Sequence, residues 1–128
     1  MAQTSIPRWQ VVTGWVLSGI LAFVFLPSAF FKVAQPEGFL DEWTKTYPAV
    51  AALPIGVVEL ALFALYLVPK TRYLGGLLML AYLGGAVATH LHAGDGLFFV
   101  PVLVGVVGWL GLYLRDRRLR ALVPTVDE

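Results

Sequence analysis

The segment Ala49–Val68 (AVAALPIGVVELALFALYLV) constrains the fold most strongly, because it is apolar almost throughout and holds one acidic residue, Glu59. A helix of about twenty apolar residues, rising about 1.5 Å per residue, crosses a hydrocarbon core about 30 Å thick. A carboxyl group halfway along such a helix costs about 2.5–3.5 kcal/mol on insertion scales. Glu59 is therefore predicted to face other helices or a cavity, and not lipid.

The composition indicates an integral membrane protein. Of the 128 residues, 59% are hydrophobic and 13% are charged, whereas soluble domains are about 45–50% apolar and about 25% charged. The chain has no cysteine, which excludes a disulfide and an Fe–S cluster held by this chain alone. The net charge of +1 is too small to indicate nucleic-acid binding. The expected surroundings are a lipid bilayer, and no nucleic-acid partner is expected.

Four apolar segments predict an all-α fold, an integral membrane four-helix bundle that forms a single domain over residues 1–128. The predicted spans are residues 9–31, 49–68, 73–91 and 97–114. Between the first two spans, residues 36–47 predict a short interfacial helix, because Phe39, Leu40, Trp43 and Tyr47 share one face. This segment is either an anchored loop or a lid over a cavity between the spans.

The distribution of basic residues predicts the orientation. With four spans, the N-terminus, the turn between spans 2 and 3 and the C-terminal tail lie on one side and hold seven of the nine Lys and Arg residues. Cytoplasmic segments carry an excess of Lys and Arg. Both termini are therefore predicted to be cytoplasmic.

The polar residues of the spans gather in the outer half of the predicted bundle. At 1.5 Å per residue, Glu59 lies about 15 Å below the outer end of span 2, and Tyr82 reaches a similar depth from the other side. Ser28, Lys32, Thr89 and His90 lie closer to the outer surface. The inner half offers little beyond Thr13, Ser18, Trp15 and Trp109. This asymmetry predicts an outward-facing cavity that ends at Glu59, and not a channel through the membrane.

Glu59 and His90 are the candidate catalytic residues. Desolvation disfavours the charged form of a buried acid unless a cation compensates, so Glu59 is expected to exchange a proton, with His90 as a relay at the mouth. The candidate ligand-binding residues are Ser28, Lys32, Trp43, Tyr82 and Thr89.

Each of these residues also has a structural interpretation. Glu59 can be a protonated structural acid that is bonded to Tyr82 or to a backbone carbonyl. Lys32 is interpreted first as an interfacial anchor and second as a partner of Glu59. The pattern H-x-H-x-x-D at residues 90–95 is weak, and no metal site is predicted.

Several pieces of the sequence, in order, resemble the DoxX-like family of small four-helix bacterial membrane proteins. They are SAFFKV at the end of span 1, IGVVELALFAL in span 2, PKTRYLG in the following turn, GGAVATHL in span 3 and GLYLR at the end of span 4. Ala29 stands where the family pattern has a glycine. The resemblance implies a protein of the bacterial inner membrane, and its better-known relatives are membrane subunits of oxidoreductases, including a thiosulfate:quinone oxidoreductase.

Three functions are compatible with these observations. The first is a membrane subunit of an oxidoreductase system that binds a quinone or a similar lipid-soluble molecule around Glu59 and works with a partner oxidoreductase subunit. Quinone reduction takes up protons, which an acid with a His relay can supply. The alternatives are a proton-coupled small-molecule transporter and a structural scaffold for a partner enzyme. The glycines of spans 3 and 4 serve packing either within the chain or in a homodimer.

Overall fold

The structure, a computed structural model, describes residues 5–122, and within them it contains helices and no strand. The main helices are α1 (Arg8–Ala34), α3 (Ala52–Leu67), α4 (Arg72–Ala93) and α5 (Phe99–Arg115). Two shorter helices are α2 (Phe39–Trp43) and α6 (Arg117–Leu122), and a 3₁₀ turn at Ala49–Ala51 leads into α3. The α2 helix covers five residues, less than the predicted interfacial segment 36–47, and Tyr47 lies in the turn that follows it.

Three of these helical segments are long and apolar enough to cross a membrane, namely Arg8–Ala34, Ala49–Leu67 and Arg72–Ala93. The fourth, Phe99–Arg115, is apolar and has 17 residues, which lies at the short end of the range for a membrane span. The large apolar side chains on the outer faces, such as Phe23 at 82% exposure, fit contact with lipid. The prediction of an all-α membrane bundle is confirmed, and the chain is a multi-pass membrane protein.

The four long helices form a ring in which α1 packs against α3 and α5, and α4 packs against the same two helices. Inside the ring, a group of large apolar side chains fills the middle of the bundle. We call it the apolar layer, and it consists of Leu21, Phe25, Leu62, Phe63, Met79 and Leu83. On one side of this layer is the end that carries the connections 35–51 and 94–98, here called the cavity end. The other side carries the turn 68–71 and α6 and is called the arginine end.

Glycines set the closest helix contacts. A Cβ atom on Gly14 of α1 would lie 2.7 Å from the carbonyl oxygen of Gly111 of α5, and one on Gly56 of α3 would lie 2.8 Å from Cβ of Lys32 of α1. Gly56 also packs on the backbone of Ala29, so α3 supplies the glycine of this contact. The α5 glycines therefore serve packing within the chain.

Candidate functional site

A cavity of about 570 Å³ lies between the helices at the cavity end of the bundle. It lies where α1 and α4 end and α3 and α5 begin, and Phe25 and Leu83 of the apolar layer line it as well. All seven residues that the sequence singles out as candidate site residues line this cavity: Ser28, Lys32, Trp43, Glu59, Tyr82, Thr89 and His90.

Glu59 is the most buried polar group of the cavity, with 3% of its surface exposed. Its Oε1 atom accepts hydrogen bonds from Nζ of Lys32 at 2.9 Å, from Oγ of Ser28 at 3.2 Å and from the Tyr82 hydroxyl. Lys32 also donates to Oγ of Ser28 at 2.5 Å. These four residues, which come from α1, α3 and α4, are called the Glu59 cluster.

The local sequence explains how this cluster forms. Ser28 and Lys32 are four residues apart on α1 and therefore lie on the same helix face. Gly56, one turn before Glu59 on α3, lets the α1 backbone come close enough for Lys32 to reach the carboxyl group. Lys32 is thus a partner of Glu59, and the interpretation of Lys32 as an interfacial anchor is wrong.

The ion pair of Lys32 and Glu59 is largely removed from solvent, with the side chains 13% and 4% exposed. A buried pair is stable only when further hydrogen bonds offset the desolvation of both charges, and Ser28 and Tyr82 supply them. The second carboxyl oxygen of Glu59, Oε2, is buried and has no hydrogen-bond partner among the described residues. Within residues 5–122 this oxygen thus accepts no hydrogen bond, which is uncommon for a buried polar atom.

At the mouth of the cavity, His90 is paired with Asp95, with 2.6 Å between Nδ1 and Oδ2. Asp95 also accepts a hydrogen bond from the backbone N–H of Leu97 at 2.8 Å. The Leu97 N–H, followed by His90, lowers the pKa of the Asp95 carboxyl. No hydrogen bond among the described residues joins His90 to Glu59, so the relay role of His90 stays a prediction. The Thr89 hydroxyl donates to the carbonyl of Gly85 at 2.9 Å within α4.

An aromatic cluster of Phe39, Trp43 and Tyr47 borders the cavity from the loop side. The Trp43 ring lies 4.4 Å from the Tyr47 ring and 5.7 Å from the Phe39 ring, measured between centroids. Nζ of Lys32 is 6.0 Å from the centroid of the Trp43 ring, near the limit of a cation–π contact. Burial, followed by the charge of Asp95, raises the pKa of Tyr47. This cluster places apolar rings beside the charged end of Lys32.

Comparison with protein families finds that the model of the DoxX-like family matches residues 16–111. The chain belongs to the DoxX-like family. The matched region includes every candidate site residue and most of the four long helices. Neither curated proteins nor solved structures gave a match.

A second polar group of this DoxX-like protein lies at the arginine end. Arg115 is 7% exposed, its guanidinium carbon lies 4.0 Å from the centroid of the Trp15 ring, and its Nε donates to Oγ of Ser18 at 3.3 Å. Ser18 is also 2.9 Å from the Tyr66 hydroxyl, which donates to the carbonyl of Gly108 at 2.5 Å. The expectation that the inner half holds few buried polar groups is therefore wrong.

Asp116 completes this end of the molecule. It is 4% exposed and pairs with Arg72 at 3.1 Å and with Arg118 at 3.4 Å, and it accepts a hydrogen bond from the Tyr73 hydroxyl at 3.1 Å. Arg115 and Asp116 were missed as buried residues because RDRRLR has the pattern of a solvated basic tail. The sequence does carry one indication of an internal ion pair. Asp116 is the single acid among the four arginines of residues 115–120, and Arg72 is a fifth arginine at the same end of the bundle.

The apolar layer separates the two polar groups along the bundle. On α3, Leu62 and Phe63 lie between Glu59 and Tyr66, and on α1, Leu21 and Phe25 lie between Ser18 and Ser28. The cavity thus extends from the cavity end as far as the apolar layer.

Proposed function

We propose that this protein is the membrane subunit of an oxidoreductase system and binds the head group of a quinone in the cavity, against the Glu59 cluster. The observation that carries the proposal is the buried Lys32–Glu59 pair at the wall of a cavity of about 570 Å³, with one carboxyl oxygen that no described residue binds. Ligand sites in proteins are mostly apolar cavities of this size with a few convergent polar groups.

The cluster has the groups that quinone chemistry requires. Reduction of a quinone adds two electrons and two protons and converts both carbonyl oxygens into hydroxyl groups. Lys32, Ser28 and Tyr82 hold the carboxyl group through Oε1, so that Oε2 of Glu59 is an acceptor for a newly formed hydroxyl group and Glu59 is a carrier of protons. The electrons would come from a bound cofactor or, as we propose, from a partner redox protein, since this chain has no cysteine to hold an Fe–S cluster of its own.

The proposed setting is the bacterial inner membrane, with both termini in the cytoplasm and the cavity open to the outer side. The basic residues at the arginine end support this orientation, because cytoplasmic segments are enriched in Lys and Arg. His90 and Asp95 at the mouth would then exchange protons with the outer solution.

The test is mass spectrometry of the lipid-soluble molecules that copurify with the protein, comparing the wild type with Glu59→Gln. We expect a quinone in the wild type and at least a tenfold loss of it in the variant, because Gln can neither pair with Lys32 nor carry a proton. Equal amounts of quinone in both proteins, or phospholipid alone in both, would contradict the proposal.

Two controls separate loss of binding from loss of folding. Lys32→Met combined with Glu59→Gln removes both charges together, so no unpaired charge stays buried. If this double variant is as stable as the wild type and still lacks quinone, the loss belongs to the Glu59 cluster and not to unfolding. Ser18→Ala, on the far side of the apolar layer, should keep the quinone.

A structural role for Glu59 in a scaffold is the second candidate, since the Lys32 pair ties α1 to α3 whether or not a ligand binds. That role predicts an unfolding defect in Glu59→Gln and unchanged ligand content in the double variant. Proton-coupled transport is less favoured, because the apolar layer lies between the cavity and the arginine end. Uptake of a small molecule into vesicles that contain the protein, driven by a proton gradient, would instead support the transporter.

A further inference from the structure

Besides the cavity, a groove of about 440 Å³ runs along the outer face of the bundle between α4 and α5. Apolar side chains and glycines line it, among them Gly84, Val87, Val102 and Val106. The two spaces therefore differ in chemistry, since the charged and hydroxyl groups of the Glu59 cluster belong to the cavity alone.

The cavity and the groove meet at one seam, because Leu83 of α4 and Pro101 of α5 line both of them. Next to Leu83, Gly84 lines the groove and Gly85 lines the cavity. A Cβ atom on either glycine would have no described atom within 4 Å. Open space therefore lies beside α4 on both sides of Leu83, toward the groove at Gly84 and toward the cavity at Gly85, and the buried residues Leu83 and Pro101 form the thin wall between the two spaces.

The same seam is closed further toward the arginine end. A Cβ atom on Gly105 would lie 3.3 Å from Leu80 and 3.5 Å from Leu83, which is ordinary to tight packing. The cavity and the groove therefore approach each other only at the level of the cavity, where the side chains of Leu83 and Pro101 are all that the two spaces share.

We propose that this seam is the passage for the tail of an amphiphilic ligand, whose polar head occupies the cavity and whose long hydrocarbon or isoprenoid tail lies in the α4–α5 groove. The inference rests on the proposed function and adds the class of ligand, a quinone with a long apolar tail. A tail that left through the mouth would pass the paired His90 and Asp95, and desolvating those polar groups is unfavourable.

The groove is expected to contribute to binding by giving the tail of the ligand a place to lie, and not by hydrophobic attraction. Lipid tails are as apolar as the groove, so moving a ligand tail from lipid into it removes little apolar surface from water. Its contribution is to let the tail stay in an apolar environment while the head reaches Glu59. A blocked passage should therefore weaken the binding of a ligand with a tail and leave a ligand without a tail unaffected.

The experiment uses the full chain in lipid nanodiscs and two probes, 2,3-dimethoxy-5-methyl-1,4-benzoquinone and its 6-decyl derivative. Binding of both is measured by equilibrium dialysis, with empty nanodiscs as the partition reference. The blocking variant is Gly84→Leu, which fills the open space of the groove. The matched control is Gly19→Leu on α1, where a Cβ atom also has no described atom within 4 Å and which lies outside both spaces.

We expect Gly84→Leu to weaken binding of the decyl probe at least tenfold, and Gly19→Leu to change it less than twofold. The probe without a tail should bind all three proteins within a factor of two. Unchanged binding of the decyl probe to Gly84→Leu would overturn the inference. It would do so even if this variant copurified with less phospholipid, because the groove would then hold a membrane lipid and not the tail of the ligand.

The outcomes also separate this inference from the proposed function. If the wild type binds neither probe, the proposal of quinone binding in the cavity is wrong, and so is the proposal of a passage for the tail. If the wild type and Gly84→Leu bind both probes equally, the cavity retains its proposed role and only the α4–α5 passage is wrong.

Discussion

At the scale of single residues, the pair of Lys32 and Glu59 accounts for a carboxyl group inside an apolar bundle. Each charge alone would be costly in this environment, and the pair is stabilised because Ser28 and Tyr82 donate to the same oxygen, Oε1. The protein thereby concentrates its donors on one side of the carboxyl group. Oε2 is left for a proton or for a hydroxyl group of a ligand.

Asp116 gives a pH-dependent prediction at the same scale. Burial alone would raise the pKa of its carboxyl group, but hydrogen bonds from Arg118 and Tyr73 and the charge of Arg72 outweigh it and lower the pKa from the ordinary value of 3.8. A lowered pKa in the folded state means that ionised Asp116 stabilises the fold above the ordinary pKa, and that this contribution is lost as the pH falls below it.

We therefore expect Asp116→Asn to lower the free energy of unfolding by about 2 kcal/mol at neutral pH, the range for hydrogen bonds to a charged group. The deficit should be the same at pH 5 and should shrink as the pH falls below the ordinary pKa of 3.8, because the unfolded chain then binds a proton at Asp116 that the folded protein binds only at its lower pKa. Asp41→Asn is the control, since Asp41 is exposed. A wild type and an Asp116→Asn variant of equal stability at neutral pH would contradict this account.

At the scale of helices, the glycines differ in what surrounds them, and α1 offers a direct comparison. A Cβ atom on Gly14 would press against the backbone of Gly111 and the side chain of Arg115, whereas one on Gly19 would meet no described atom within 4 Å. Gly14→Ala must push α1 and α5 apart, and overpacking of this kind costs about 1–3 kcal/mol.

We predict that Gly14→Ala lowers the free energy of unfolding by about 2 kcal/mol and that Gly19→Ala leaves it unchanged or raises it by up to about 1 kcal/mol through helix propensity. Both variants can be compared by unfolding in mixed micelles with a denaturing detergent. Equal effects of the two substitutions would show that close contact between α1 and α5 is not important for stability.

The sequence predicts the helices better than it predicts their contacts. Apolar length and basic residues define four spans, and the depth of Glu59 and Tyr82 follows from counting residues along them. The sequence indicates Lys32 only second as a partner of Glu59, because the flexible Lys32 side chain has both inward and outward positions and only the close approach at Gly56 decides between them. Arg115 was missed for a related reason, since its burial depends on Trp15 and Tyr66 from two other helices.

At the scale of the whole molecule, the cavity lies on one side of the apolar layer and seven of the nine Lys and Arg residues lie on the other. If the basic end is cytoplasmic, as the charge distribution favours, the cavity receives its ligand from the outer half of the bilayer and exchanges protons with the outer solution. A redox partner that delivers electrons to the head group would then work on the outer side of the membrane. The direction of the chain in the membrane thus decides which reactions the cavity can serve.

This orientation can be tested directly, because the chain has no cysteine and each introduced cysteine is therefore unique. His92→Cys places a thiol at an exposed position near the mouth, and Lys70→Cys places one in the exposed turn at the arginine end. In intact cells we expect a membrane-impermeant maleimide to label His92→Cys at least tenfold faster than Lys70→Cys, with equal labelling after permeabilisation. The reverse ratio would put the cavity on the cytoplasmic side, so that the redox partner and the source of protons would both have to be cytoplasmic.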